Sequence, residues 1–269
     1  MTALGKHWIQ PGYRALWVLA FRTDPGARNM MAGRIIFYGV LLLVYTRLWR
    51  AIFDSSGPIG SMSPEDCVWY LAITEWITLS LPRNFEDIEQ EVRSGEVASQ
   101  LLRPMNYAGS KVALGLGEVA VRLCVLAPVG VLLAYGLTGQ WPTMPQNLWL
   151  AAPVGVLAAL LLLLFHVLIG MSAFWFNDVS PTSWIYQKIS FITGGVLLPL
   201  DIYPDWLREL AQYSPFAVVY YQVARLALGY PSTSLVSLTT TLLTWIGLAL
   251  VFLYLIQVRA MTRVQLHGG

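Results

Sequence analysis

Few side chains in this sequence are placed to do chemistry. Glu75, Glu118, Arg122 and His166 interrupt apolar runs. Ionisable groups there are costly and usually face protein or a cavity. Glu75 reads either as a cavity or cargo contact or as a protonated or paired structural acid. Glu118 and Arg122 stand four apart with the acid first, the favourable order, and read as a neutralised pair. His166 reads as a hydrogen-bonded core histidine, because His7 and His267 lie too far along the chain to share a metal, and no H-E-x-x-H occurs. Cys67 and Cys124 make no disulfide or metal framework and read as buried thiols. There is no G-x-x-x-x-G-K-[ST]; Gly115-Leu116-Gly117 is a lone glycine pair. No hydrolase elbow and no paired carboxylates appear. The chain is therefore read as no enzyme by itself, with no cofactor and no metal of its own.

What must position these residues is a membrane fold. Of 269 residues 56% are hydrophobic and only 12% charged, with a mean hydropathy of +0.58. Soluble domains carry about 25% charged residues. The net charge of +2 comes from scattered bases, which excludes the basic stripe of a nucleic-acid binder. Eleven Trp and thirteen Tyr suit interfacial belts.

The hydropathy pattern predicts an all-α polytopic protein of six spans: 32–53, 66–81, 113–137, 148–176, 183–200 and 235–258. A span needs about 20 apolar residues. Residues 1–31 form an arm with no cleavable signal, in which Leu16, Trp17, Ala20 and Phe21 suggest an interfacial helix. Arg47 and Arg50 end the first span and can snorkel. Ser63-Pro64-Glu65-Asp66 reads as a helix start, with Ser as N-cap and Pro at N1. Asn177-Asp178 before Ser180-Pro181 reads as a turn and cap, and Gly194-Gly195 as a close-packing or flexible site. Residues 201–229, broken by Pro204 and Ser214-Pro215, read as two short helices dipping in from one side; such backbone is tolerated only in protein or along a cavity. A seventh span over 215–229 is the weaker reading, since it puts the termini on opposite sides. Lys and Arg concentrate in the N-terminal arm, in 83–111 and in the tail 259–269, which places both termini and 83–107 in the cytoplasm.

The polar stretch Arg83–Tyr107 stands apart. Five acids (Glu86, Asp87, Glu89, Glu91, Glu96) meet three arginines (Arg83, Arg93, Arg103). Phe85, Ile88 and Val92 share one helical face. Gly95 reads as a stop, and Pro104 closes the next turn. Two net negative charges argue against an anionic lipid surface. The apolar face is therefore expected to bury in a partner.

These residues resemble the ABC-2-type exporter permeases. The resemblance rests on the acidic helix followed by Arg93-Ser94-Gly95 and Leu101-Leu102-Arg103-Pro104. It continues with Phe174-Trp175-Phe176, Asp178, Trp184-Ile185-Tyr186-Gln187-Lys188, Leu198-Pro199-Leu200, Tyr203-Pro204-Asp205-Trp206-Leu207 and Ser214-Pro215-Phe216. It implies a coupling helix at about 84–94, short extracellular helices before the sixth span, a second permease chain, identical or paralogous, and two separate ATPase subunits that bind ATP and Mg. Phe85, Ile88, Glu89, Val92, Arg93 and Gly95 would then couple to the ATPase. Cargo would pass along the second and fifth spans by Glu75, Trp184, Gln187 and Phe191. Tyr203, Pro204, Trp206 and Pro215 would form an outer gate. A bacterial inner-membrane location follows from the same resemblance. The competing reading is an ion-coupled carrier or channel that titrates Glu75.

Overall fold

A computed structural model of the chain describes residues 25–56, 62–101, 105–176, 178–230 and 234–267. The expected interfacial helix of the arm, the turn at Leu102–Pro104 and Asn177 lie outside them. The described residues are helical, without a strand. We label the helices α1 (Pro25–Ser56), α2 (Pro64–Leu79), α3 (Asn84–Ser94), α4 (Glu96–Leu101), α5 (Tyr107–Thr138) and α6 (Asn147–Met171). The chain goes on through α7 (Ser180–Gly194), α8 (Asp205–Gln212), α9 (Pro215–Ala217), a π segment Val218–Gln222, α10 (Val223–Leu228) and α11 (Leu235–His267). Thus α11 runs on through the expected tail.

Four helices are long and apolar enough to cross a membrane, over Asn29–Ser55, Tyr107–Thr138, Asn147–Phe174 and Leu235–Thr262. Two expected spans are shorter. α2 has 16 residues and α7 has 15, each about 24 Å or less at 1.5 Å per residue. α2 keeps the 16 residues of its expected range, and only α7 falls short of its own. α2 starts where expected, at a capping box: Ser63 Oγ accepts from Asp66 N, and Asp66 accepts from Ser63 N. α7 stops at Gly195, whose φ of +63° is left-handed. Gly194 beside it is the close-packing site, since a Cβ there would meet the Tyr220 ring.

The centre of the bundle is α6. Its most apolar window is 67% buried, against 22–28% in the other three long helices. It is hydrophobic all round, as an enclosed helix must be, and it packs on α11, α3, α10 and α5. α2 is buried as fully, from Asp66 to Glu75 and again at Ile77. Gly155 makes room for Trp76 between α2 and α6, and the Trp76 indole donates to Leu123 O at 3.0 Å.

The bundle has two distinct ends. At one, Arg34 donates to Leu79 O, α3 packs on the end of α6, and Ala108 N donates to Gln257 Oε1 of α11 at 2.8 Å. At the other, Arg50 donates to Leu137 O at 3.0 Å and Trp69 to Gln140 O at 3.1 Å. Residues 205–228 form short helical segments there. The chain turns at Ser214-Pro215, where Ser214 Oγ caps Ala217 N and Phe216 lies against Gly194. It returns through the π segment to Arg225, which bonds back to Asp201 at 2.5 Å.

Candidate functional site

The site is built on α3. Acids Glu86 and Asp87 open it and Arg93 closes it, each suited to its end of the helix dipole. Gly95 ends it with φ +78°, as its position in the sequence predicts. Partial desolvation raises the Asp87 carboxyl above its usual range; Lys111 opposes the rise, and Glu91 and Glu86 add to it.

The apolar face does not wait for a partner. Ile88 is fully buried and Phe85 nearly so within the chain itself, and Val92 is half-buried beside Ile169, Ala173 and Val179. The expectation that these three side chains seat in another protein is corrected on this point. A complementary apolar surface in the same chain lies at far higher effective concentration than any partner. That surface is made for contact. A Cβ on Gly170 would come within 2.8 Å of Ile88 Cδ1 and 3.1 Å of the Phe85 Cα, so only glycine lets α3 lie this close.

Polar contacts hold the same helix at both ends. Before its first turn, His166 Nδ1 lies 3.1 Å from Pro82 O. The carbonyl can only accept, so Nδ1 carries the proton and Nε2 is an acceptor. The His166 ring meets Phe85 edge-on at 5.3 Å and Tyr186 at 5.5 Å. Toward the far end, Glu91 takes an ion pair from Lys111 and a hydrogen bond from Tyr107 Oη at 2.7 Å. Both side chains of the ion pair are at most 15% exposed, so removing either leaves a charge with little water. His166 was legible as a satisfied core residue, but its partner was not. The Glu91–Lys111 pair was missed. Its only signal is a lysine just inside an apolar helix.

What α3 leaves outside is polar: Glu86, Asp87, Gln90, Arg93, Ser94 and Gly95 are exposed. Glu89 is mostly covered and pairs with Arg93 at 3.2 Å. Of the six expected coupling residues, Arg93 and Gly95 thus face solvent while Phe85 and Ile88 face α6.

The expected path residues divide. Gln187 and Phe191 line one cavity of about 530 Å³ with Arg34, Phe37, His166, Tyr186, Ser190 and others. Trp184 is exposed on the outside of α7. Glu75 is only 2% exposed, does not line that cavity, and makes no ion pair among the described residues. Glu118 and Arg122 do pair, at 2.5 Å, as expected. Of the expected gate residues, Tyr203 and Pro215 are half-buried, and Pro204 and Trp206 are exposed. Sequence reading missed the polar cluster behind them. Arg225 reaches Asp201 Oδ1, Tyr221 Oη at 2.8 Å and Tyr230 O at 2.7 Å. Tyr230 Oη donates to Asp66 Oδ2 at 3.0 Å.

Comparison with curated proteins returns no match. The family model described as ABC-2 family transporter protein matches residues 37–264, a range that includes α3, the short helices and most but not all of the residues that line the cavity. With most of its length matched, and with its long apolar helices, the chain belongs to the ABC-2 transporter family and is a multi-pass membrane permease of an ABC transporter.

Proposed function

We propose that the chain is the permease subunit of an ATP-driven exporter, paired with a second permease chain and served by two separate ATPase subunits that bind ATP and Mg. One observation carries this reading. α3 is fixed on α6 by its apolar face, by His166 and by Glu91, and presents a free polar face at the bundle end. That is what a coupling element requires: a surface for the ATPase and a stiff mount behind it. ATP can shift the permease only through unequal contact with its two states.

In this reading six passes cross the bacterial inner membrane, α2 and α7 being the short ones, and both termini lie in the cytoplasm. The contacts of Arg34, α3 and Gln257 at a single end support an even number of passes. The pair α8 and α9–α10 dips into the outer leaflet as a gate. Trp206, Leu210 and Tyr213, at i, i+4 and i+7, are all exposed and suit the headgroup layer.

The test is copurification in mild detergent. Replacing Glu86 and Gln90 together by Lys should abolish recovery of the ATPase subunit while the unfolding temperature of the chain stays unchanged. Full recovery with both replacements would sink the coupling assignment. A second reading, an ion-coupled carrier, draws on Glu75 alone, buried without an ion pair. It requires transport without any ATPase and its loss in Glu75→Gln.

A further inference from the structure

A row of rings crosses the bundle from α3 to the short helices. Phe85 of α3 meets His166 of α6 with ring centres 5.3 Å apart. His166 meets Tyr186 of α7 at 5.5 Å, and Tyr186 meets Phe216 of α9 at 5.5 Å. All three steps are edge-on, with interplanar angles of 72–84°, a geometry that ring pairs prefer. Phe165, beside His166 in sequence, braces the far half at 6.3 Å from Tyr186 and 5.7 Å from Phe216. Four elements that are distant along the chain thus share one continuous set of contacts.

The row is built to move at one end and to be driven from the other. At the driven end His166 bonds Pro82 O, just before α3, so its ring is tied to the same segment as Phe85. In the middle, Phe85, His166 and Tyr186 line the cavity of about 530 Å³. Rings packed on one side therefore face open volume on the other, which a fully enclosed row at interior packing density would lack. Tyr186 Oη is buried with no hydrogen-bond partner, so turning this ring breaks no hydrogen bond. At the far end Phe216 closes on Gly194, where an added Cβ would lie 3.3 Å from Phe216 Cβ. Gly194 is the last residue of α7 before the left-handed Gly195. The π segment Val218–Gln222 begins two residues after Phe216, and such interruptions of the regular ladder concentrate at functional positions.

We propose that this row carries movement of α3 to the short helices and that Tyr186 is its joint. Displacing the start of α3 shifts Phe85 and His166 together. Tyr186 turns against the cavity, and Phe216 follows with the start of α9. Tyr186 is thus a positioning residue that acts through Phe216, and its ring rather than its hydroxyl is what matters. The purpose of the link rests on the permease reading, because α3 is driven only if an ATPase meets it. The link itself is a property of this chain alone. A row of contacts is a route only where replacements along it are non-additive.

The test is amide hydrogen exchange of the full chain in detergent, read over residues 205–217. Phe85→Leu keeps an apolar side chain but removes the ring, and should speed exchange there by roughly 2–10-fold, the worth of one aromatic pair. Tyr186→Leu should do the same, and the double replacement should do no more than either alone. Tyr186→Phe should match the parent chain, since the hydroxyl has no partner to lose. Leu123→Ala, a buried loss in α5 outside the row, should leave 205–217 unchanged. Phe216→Leu gives the reverse reading: coupling is reciprocal, so exchange over 84–94 should rise. Additive effects of Phe85→Leu and Tyr186→Leu overturn the proposal. So does an equal response to Leu123→Ala, a Tyr186→Phe that behaves like Tyr186→Leu, or unchanged exchange over 84–94 in Phe216→Leu. The chain is assayed without an ATPase, so a negative result here and a failed copurification are separate outcomes.

Discussion

Ile88 anchors α3 more firmly than any acid around it. It is fully buried against a glycine that exists to admit it. Ile88→Ala should cost about 2–5 kcal/mol, the range for emptying a buried aliphatic site, read as a lower unfolding temperature in detergent. Gln90→Ala, on the exposed face, should leave that temperature unchanged. Asp87 supplies a pH prediction. Its folded-state pKa is raised, chiefly by desolvation, so the folded state holds the proton more tightly. The resulting stability is present below the unfolded value, about 3.9, and is lost as pH rises through the folded one. Asp87→Asn should therefore raise the unfolding temperature slightly at pH 7 relative to the parent chain. At the residue scale the sequence was legible where partners are local: the Ser63 box, the Gly95 stop and the Glu118–Arg122 pair all follow from neighbours within a turn. Lys111 and Glu91 are twenty residues apart, and His166 and Pro82 are 84 apart. No periodicity connects such positions.

Elements were read well as to kind and less well as to length and contact. The helices at 84–94 and 215–228 come from plain signals, an amphipathic face and a Ser-Pro start. The end of α7 was read six residues too late, because Gly195 to Leu200 is apolar yet leaves the helix through a left-handed glycine. The amphipathic face of α3 was read as a docking face, and so it is, but the dock is α6. Hydrophobic periodicity says that a face is buried, never by what. Gly170 separates mounting from binding. Gly170→Val would push Ile88 and the Phe85 backbone away while leaving Glu86, Gln90 and Arg93 in place on the outer face. The ATPase should still copurify, while cargo-dependent stimulation of its hydrolysis should fall several-fold. Unchanged stimulation would mean that α6 is not the bearing.

At the scale of the whole molecule, two rigid attachments sit at opposite ends of a buried core. One is the mount of α3. The other is the cluster of Asp201, Arg225, Tyr221, Tyr230 and Asp66, which ties the short helices to the start of α2. The Arg225–Asp201 pair is at most 22% exposed, and losing one member of so covered a pair should cost roughly 2–4 kcal/mol. Arg225→Met and Asp201→Asn should each lower the unfolding temperature, and the double replacement should cost less than their sum. Additive losses would show the pair to be incidental. That long apolar helices make up the chain was legible from hydropathy; the placement of α6 as the enclosed helix was partly so, through its unbroken run of leucines. The mount of α3 also bears on how the protein is made. Ile88 leaves the ribosome 82 residues before Gly170, which at typical synthesis rates is an interval of roughly 4–16 s. Throughout that interval α3 has no surface to lie on, and Phe85 and Ile88 stay uncovered. The nascent chain thus carries a short apolar face that its own fold covers only once α6 has been made.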